Sequence, residues 1–273
     1  MSAQPTCLVL GGHGFVGSAL VAEATRRGFK TIVAGREEYP AVKGTSCDVL
    51  INANGNSRKY WARQYPVSDF EHSVLSVMRS LHDFHYNRYV LLSSVDVYTH
   101  VSDPSANKET APIEVERLSR YGLHKAMAEE LVRHYARRRL ILRMGGLVGP
   151  GLWKNPIYDL LTGAGLRVHP DSEYQYLNTA DCARMIFELM ERAADQDCFN
   201  VAGDGVMSLR DVANMINPDA LEQQANAPVE RYHVDIERLK HVVAVPATRD
   251  TVGRFLEDVQ AGRVAVKTSG ARS

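Results

Sequence analysis

The stretch that most constrains the fold runs from Thr6-Cys7-Leu8-Val9-Leu10 directly into Gly11-Gly12-His13-Gly14-Phe15-Val16-Gly17. A short, unbroken apolar run fits a strand buried on both faces of a parallel sheet. The glycines after it permit a tight turn and a close approach of backbone to a ligand. An amphipathic stretch from about Phe15 to Arg27, closed by Gly28, predicts a helix. Strand, glycine loop and helix together aim a helix N-terminus at whatever lies over the loop, which is how a pyrophosphate is held. Two registers fit at once. Gly12, Gly14 and Gly17 read G-x-G-x-x-G, and Gly11, Gly14 and Gly17 read G-x-x-G-x-x-G. The whole loop from Gly11 through His13, Phe15 and Val16 to Gly17 is therefore assigned to a dinucleotide.

The pattern repeats downstream. Strands are predicted over Thr31–Ala34, Val49–Ala53, Tyr89–Ser93 and Leu140–Met144. Ser68–Glu71 reads S-x-x-E, a capping box, and predicts a helix from there to about Tyr86. A long helix is predicted from Val115 to Arg138, with Arg137, Arg138 and Arg139 as its solvated, dipole-favoured end. Alternation of strand and helix predicts βαβ units, hence an α/β, Rossmann-like doubly wound parallel sheet. After Pro150 the pattern is less regular: a helix at Asp181–Glu191, a strand at Cys198–Val201 and a helix start at Ser208–Asp211. The predicted division is a cofactor domain over 1–150, a small substrate lobe over 151–266 with segments returning to the core, and a disordered tail over 267–273.

Composition removes other classes. Lys plus Arg and Asp plus Glu both number 32, so the net charge is zero. Nucleic acid as the main partner needs a positive surplus to neutralise phosphates. Cys7, Cys47, Cys182 and Cys198 form no C-x-x-C pair and show no zinc spacing, so no metal is expected and the thiols read as buried, reduced side chains. No signal-like apolar segment precedes the first strand, and no run approaches a membrane span, so a cytoplasmic enzyme without membrane contact is expected.

The residue after the second strand discriminates between cofactors: an acid holds the ribose 2′-hydroxyl of NAD, a base the 2′-phosphate of NADP. Here the strand ends Val33-Ala34-Gly35-Arg36, with Glu37 and Glu38 following as possible competitors. Arg36 tilts the expectation to NADP, with NAD possible. Tyr121-Gly122-Leu123-His124-Lys125 reads Y-x-x-x-K on the long helix, a spacing that puts both side chains on one face. A neighbouring ammonium favours phenolate, so Lys125 is expected to lower the pKa of Tyr121 and make it an acid/base for an alcohol–ketone couple. Ser93 and Ser94 close the fourth strand, where a hydroxyl faces the ligand crevice. His13 and His124 read as loop and helix-surface residues.

These motifs together resemble the extended short-chain dehydrogenases/reductases of the NAD-dependent epimerase/dehydratase family. The resemblance runs through Gly11-x-x-Gly14-x-x-Gly17, Ser93-Ser94-x-x-Val97-Tyr98, Tyr121-x-x-x-Lys125, Arg143 and Gly149-Pro150-Gly151. It continues in Asn178-Thr179-Ala180-Asp181-Cys182-Ala183 and Cys198-Phe199-Asn200-Val201-Ala202-Gly203. It implies Ser94, Tyr121 and Lys125 as the catalytic set, with Tyr121 and Lys125 also at the nicotinamide ribose and Asn54 beside the cofactor. It implies a crevice at the strand ends bearing Gly11, Ser94 and Arg143, and a substrate that is usually a nucleotide sugar. It also implies a homodimer through the Tyr121 helix and the helix from Ser68, with Leu118, Met127, Leu131 and Val132 available at the contact.

Three departures qualify it. The short link from Gly35 to Cys47 leaves no room for a helix–strand–helix, so one edge strand should be missing. Ala53-Asn54-Gly55 stands where an alanine pair is usual, and Tyr174 where the family often has a diphosphate-binding arginine. Asp96 occupies the position of a dehydratase acid, but Val95 precedes it. Dehydration therefore ranks below epimerisation or ketone reduction. A non-catalytic, NADP-binding redox sensor is the alternative from another class.

Overall fold

The computed structural model describes residues 4–217 and 227–267. Among the described residues there are ten strands: β1 Thr6–Leu10, β2 Lys30–Ala34, β3 Ser46–Asn52, β4 His85–Ser94, β5 Arg139–Met144, β6 Gly146–Val148, β7 Glu173–Tyr174, β8 Tyr176–Asn178, β9 Asp197–Val201 and β10 Met207–Ser208. The helices are α1 Gly17–Arg26, α2 Tyr39–Val42, α3 Lys59–Gln64, α4 Pro66–Phe70, α5 Ser76–Asp83, α6 Arg120–Tyr135, α7 Pro156–Thr162, α8 Thr179–Arg192, α9 Leu209–Ile216, α10 Glu237–Lys240 and α11 Thr248–Gln260. A π-helical turn over Glu71–Leu75 joins α4 to α5.

Six parallel strands form the central sheet in the order β2-β1-β3-β4-β5-β9. Between β2 and β3 the chain makes only the single turn of α2, and among the described residues no strand lies outside β2. The edge strand expected to be missing is absent there. Order reverses at β1, whose C-terminal end carries Gly11, and that reversal opens a crevice at the strand ends.

Side-chain alternation builds the two faces. Cys7 and Val9 of β1 pack with Leu20 and Ala24 of α1 and with Cys182 and Ile186 of α8. Leu8 and Leu10 point the other way, onto Val77 and Leu81 of α5 and Ala128 and Val132 of α6. The period of two is what a strand imposes. Burial on both faces explains why β1, β4 and β5 read as near-continuous apolar runs. All four cysteines are buried free thiols, and burial pushes Cys7 up to about 12 and Cys47 to about 11. A third apolar cluster unites Ile157, Tyr174, Tyr176, Leu209 and Phe255 from the chain beyond β6, and Phe15 of the glycine loop packs against it.

Several boundaries differ from expectation. The helix assigned to the Ser68–Glu71 box starts at Pro66, whose fixed φ suits the first turn, so Ser68 lies inside it. That helix ends at Asp83, and β4 begins at His85 because β3 begins early and Ser46 pairs with His85. The long helix starts only at Arg120, where the Ser119 side chain accepts from the Gly122 N–H at 3.1 Å. It ends at Tyr135, so Arg137–Arg139 do not cap it; Arg138 pairs with Asp195 at 2.8 Å and Arg139 enters β5. Of the predicted tail, Lys267 donates its N–H to the Leu152 carbonyl at 2.9 Å, and residues 268–273 lie outside the described residues.

Candidate active site

The glycine loop has the geometry its sequence required. Gly11 adopts φ +74°, and a Cβ on Gly17 would stand 2.0 Å from the Gly11 carbonyl oxygen. A Cβ on Gly12 would meet Val33 at 2.7 Å. These contacts draw loop, strand and helix together, while Gly14 and His13 face outward. No side chain caps α1, so its first N–H groups are free of the usual serine or aspartate partner. An uncapped helix start beneath a glycine cradle fits a dinucleotide pyrophosphate. Asn54 lies at the same place, its Oδ1 2.9 Å from where a Gly11 Cβ would be.

At the end of β2, Arg36 is exposed and pairs with no carboxylate among the described residues. The competing acid is Glu38. It accepts from the Gly35 N–H at 2.8 Å and stands 3.3 Å from His13 Nε2. The backbone donors hold its carboxyl below the usual range, with His13 adding to the effect.

Ser94, Asp96, Tyr121 and Lys125 meet at the end of β4. Ser94 Oγ donates to Asp96 Oδ2 at 2.9 Å and accepts from the Asp96 N–H at 3.2 Å. The other Asp96 oxygen receives the Tyr232 hydroxyl at 2.9 Å and the Lys59 ammonium at 2.7 Å. Gly122 makes this junction possible, because a Cβ there would stand 2.2 Å from the Asp96 carbonyl oxygen. Lys125 Nζ lies 5.8 Å from the Tyr121 ring centroid and 3.4 Å from the Leu92 carbonyl. Burial drives the Tyr121 phenol well above its ordinary value, reinforced by the Asp96 charge and opposed by Lys59 and Ser94. Burial also lowers Lys125, against the pull of Asp69, Glu129 and Asp96. The expected lowering of Tyr121 by Lys125 is not what the fold gives: burial raises the phenol, and the cation that opposes it is Lys59.

Sequence reasoning missed several residues here. His124 is buried, not on the surface, with Nδ1 2.6 Å from Asp69 Oδ2. Asp69 is fully buried and also takes the Asn56 amide at 2.8 Å. Tyr174 is buried and donates to Glu230 at 2.8 Å. It stacks on Tyr232 with ring centroids 5.5 Å apart and so fixes the phenol that reaches Asp96. Arg143 does not open into the crevice. It is 1% exposed and locked to Glu129, with Nη2–Oε2 at 2.8 Å, while Ser93 donates to the same carboxylate at 2.6 Å.

A second hollow, of about 830 Å³, lies between α5 and α6, lined by Phe70, Met78, Met127 and Leu131 with Arg143 at its floor. Of the side chains expected at a helix contact, Met127 and Leu131 are there, whereas Val132 is fully buried in the core. Among the described residues no helix is long and apolar enough to cross a membrane.

The profile described as NAD dependent epimerase/dehydratase family matches residues 7–202. No curated protein sequence matches the chain. Among solved structures, a UDP-galactose 4-epimerase is 21% identical with a TM-score of 0.77, covering 94% of this chain and 99% of that one. The dTDP-4-dehydrorhamnose reductase of Bacillus anthracis str. Ames, in complex with NADP, is 14% identical with a TM-score of 0.74, over 94% and 99%. The UDP-N-acetylglucosamine 4-epimerase of Methanobrevibacter ruminantium M1 is 14% identical with a TM-score of 0.74, over 95% and 99%.

Proposed function

The chain belongs to the NAD-dependent epimerase/dehydratase family, and on that premise we propose that it is a ketoreductase acting on a sugar carbonyl, with a nucleotide sugar as substrate class and NADP as the preferred cofactor. The observation that carries the reading is the convergence of Ser94, Tyr121 and Lys125 at one strand end, beside the glycine cradle. The bound dinucleotide supplies reversible hydride exchange at a carbinol carbon. Gly11, Gly12, Gly14 and Gly17, with His13, Phe15, Val16 and Asn54, form its seat, and Arg36 is free to meet a 2′-phosphate.

The chain's own residues then divide the work. Tyr121 holds the proton that the substrate oxygen needs, and its burial keeps the phenol in the acid form that reduction requires. Ser94 orients the carbonyl by turning its hydroxyl from Asp96. Lys125 positions the ribose and stabilises the phenolate left behind. Asp96, with its oxygens already receiving Ser94, Tyr232 and Lys59, serves as the anchor of Ser94 rather than as a dehydratase base. Epimerisation is the second reading, favoured by Glu38 at the cofactor corner, where it can hold a ribose hydroxyl and so a retained NAD. The hollow between α5 and α6 supports assembly with a second copy of the chain, and sedimentation as a monomer at micromolar concentration would refute that.

Mass spectrometry of co-purifying ligands, followed by a panel of keto nucleotide sugars read by nicotinamide absorbance, tests the proposal. Consumption of NADPH by a keto sugar supports reduction. A tightly retained NAD with interconversion of sugar epimers and no net cofactor turnover replaces it with epimerisation. Binding of cofactor with no turnover on any substrate leaves the sensor reading.

A further inference from the structure

Beside Lys125 stand a buried aspartate and a buried histidine. Asp69, in α4, is fully buried, and His124, which precedes Lys125 in α6, is 7% exposed. Their contact, Nδ1 to Oδ2 at 2.6 Å, joins the two helices. The other Asp69 oxygen takes the Asn56 amide at 2.8 Å and the Ser73 hydroxyl at 3.5 Å. Ser73 belongs to the π-helical turn, a departure from α geometry that often marks a functional site. It also ties the pair to Lys125, because a Cβ on Gly55 would stand 3.7 Å from Ser73 Oγ and 3.4 Å from Lys125 Nζ.

Lys125 is buried too, and an ammonium carries three donors. Its hydrogen bond is one long one, to the Leu92 carbonyl at 3.4 Å, and among the described residues it pairs directly with no carboxylate. A buried ammonium needs a balancing charge nearby. Three carboxylates pull on it, Asp69 first, then Glu129 and Asp96. Glu129 already faces Arg143 at 2.8 Å and Arg133 at 3.4 Å. Asp96 already faces Lys59 at 2.7 Å. Asp69 faces no lysine or arginine at that range; its basic partner is His124. Other ionisable groups on the packed elements are engaged or outside. His72 of the π-helical turn meets Ser68 and Trp61, while in α5 His82 meets Tyr135 and Asp83 meets Lys43. Tyr60, Arg63, Glu71 and Arg79 are exposed. One carboxylate can balance one of two bases. A charged imidazole would take the Asp69 charge for itself, whereas a neutral one, donating from Nδ1, leaves that charge to Lys125.

We propose that Asp69 is the counter-charge that keeps Lys125 an ammonium, and that His124, as a neutral donor through Nδ1, holds that carboxylate in place. Both are positioning residues, acting on the cofactor ribose and on the Tyr121 proton only through Lys125. The inference deepens the reading of Lys125 given above, and rests on it for function though not for the charge state itself.

Full-length protein, isotopically labelled at its lysine and histidine side-chain nitrogens, reads both charges by magnetic resonance. Nζ resonates differently as ammonium and amine, and the ring nitrogens separate both tautomers from imidazolium. Lys125→Met and His124→Asn assign the two signals. In the parent near neutral pH, Lys125 should be an ammonium and His124 neutral with its proton on Nδ1. Lys125→Met should let His124 take a proton more readily, raising its midpoint by about one pH unit or more, a tenfold change in proton affinity. Asp69→Asn should lower the Lys125 midpoint by about as much. His124→Asn, which keeps a neutral donor, should hold the Lys125 midpoint near that of the parent. NADH, which has no titratable 2′-phosphate, is the ligand probe. Its affinity should fall as pH rises through the Lys125 midpoint, and at lower pH in Asp69→Asn than in the parent. A merely structural tie between α4 and α6 would change melting and move none of these midpoints.

Imidazolium at His124 beside an amine at Lys125 would overturn the inference. So would a His124 midpoint indifferent to Lys125→Met, which decides the matter if Asp69→Asn does not fold. An unmoved Lys125 midpoint in folded Asp69→Asn would assign the balance to Glu129 or Asp96 and overturn it as well. Midpoints that move as expected while NADH affinity ignores them would uphold the counter-charge and refute the ribose contact of Lys125.

Discussion

Replacing Gly17 with alanine tests whether the glycine loop is a cofactor cradle or only a turn. The new Cβ would stand 2.0 Å from the Gly11 carbonyl oxygen and 2.8 Å from the Gly12 Cα, where ordinary contact begins at 3.4 Å. All these neighbours are backbone, so no side chain can turn away. The start of α1 must withdraw from the loop by about 1 Å or more, and a gap of that size forfeits much of a short-range contact. The Gly14 N–H bond to the Gly11 carbonyl, 2.9 Å long, is strained by the same shift. Misplacing one or two N–H donors to a pyrophosphate removes charge-assisted hydrogen bonds of about 1.5–3 kcal/mol each. The dissociation constant for NADPH or NADH should therefore rise by about 10- to 100-fold at least. Overpacking should also cost about 1–3 kcal/mol of stability. Gly28→Ala is the control. Gly28 sits at φ +81° with nothing within 4 Å of a new Cβ, so alanine there is strained by about 1–2 kcal/mol but far from the loop. Calorimetric titration and thermal melting of both variants separate the effects. Two comparably destabilised proteins, of which Gly17→Ala alone loses cofactor, is the expected result. Undiminished cofactor affinity in folded Gly17→Ala would show that the loop is no cradle.

Arg36→Ala should lower NADPH affinity by about one to two powers of ten and leave NADH unchanged, and Glu38→Gln should move the ratio the other way; equal titrations of parent and variants would refute this. Tyr121→Phe should reduce kcat by about 10²–10⁴-fold with cofactor affinity intact, measured in steady state on whichever sugar proves active. Glu129→Gln leaves the Arg143 guanidinium buried without its counter-charge and should cost about 3–5 kcal/mol in denaturant unfolding; a loss below 1 kcal/mol would show that water reaches the pair. Lys154 titrates near 7 in the fold against 10.5 ordinarily. The folded chain therefore binds fewer protons than the unfolded chain across that window, and ligand-free stability should rise with pH there, a slope that Lys154→Met flattens.

What could be read from the sequence was whatever rests on local spacing. The apolar runs of β1, β4 and β5 carry their own signal because both faces are buried, and Gly14 and Gly17 are dictated by the approach of the Gly11 carbonyl within the seven-residue loop. The lost edge strand was legible as simple shortage of chain between Gly35 and Cys47. Boundaries failed where tertiary pairing decided them: β4 extends back to His85 only because Ser46 lies opposite. The Ser68 capping box failed because Pro66 starts the helix first.

The site's electrostatics were legible only in part, since they are set between segments far apart in the chain. Arg58 and Lys59 carried no signal in the sequence, because their neighbours Trp153 and Tyr232 come from segments far along the chain. His124 read as a surface residue until Asp69, from a different helix, was placed at 2.6 Å. The Tyr121–Lys125 spacing shows that the two side chains share a helix face, but not how dry that face is. Dryness decides the sign. Tyr121 is 7% exposed, and burial raises its phenol while lowering Lys125, so each group is pushed toward its neutral form. A neutral phenol beside Ser94 can give a proton at once, whereas taking one first requires the site to stabilise phenolate. On the proposed assignment of Tyr121 as the acid, a neutral phenol favours protonating a substrate oxygen, the half-reaction of ketone reduction. Oxidation of the alcohol would need positive charge brought near Tyr121 before the proton moves.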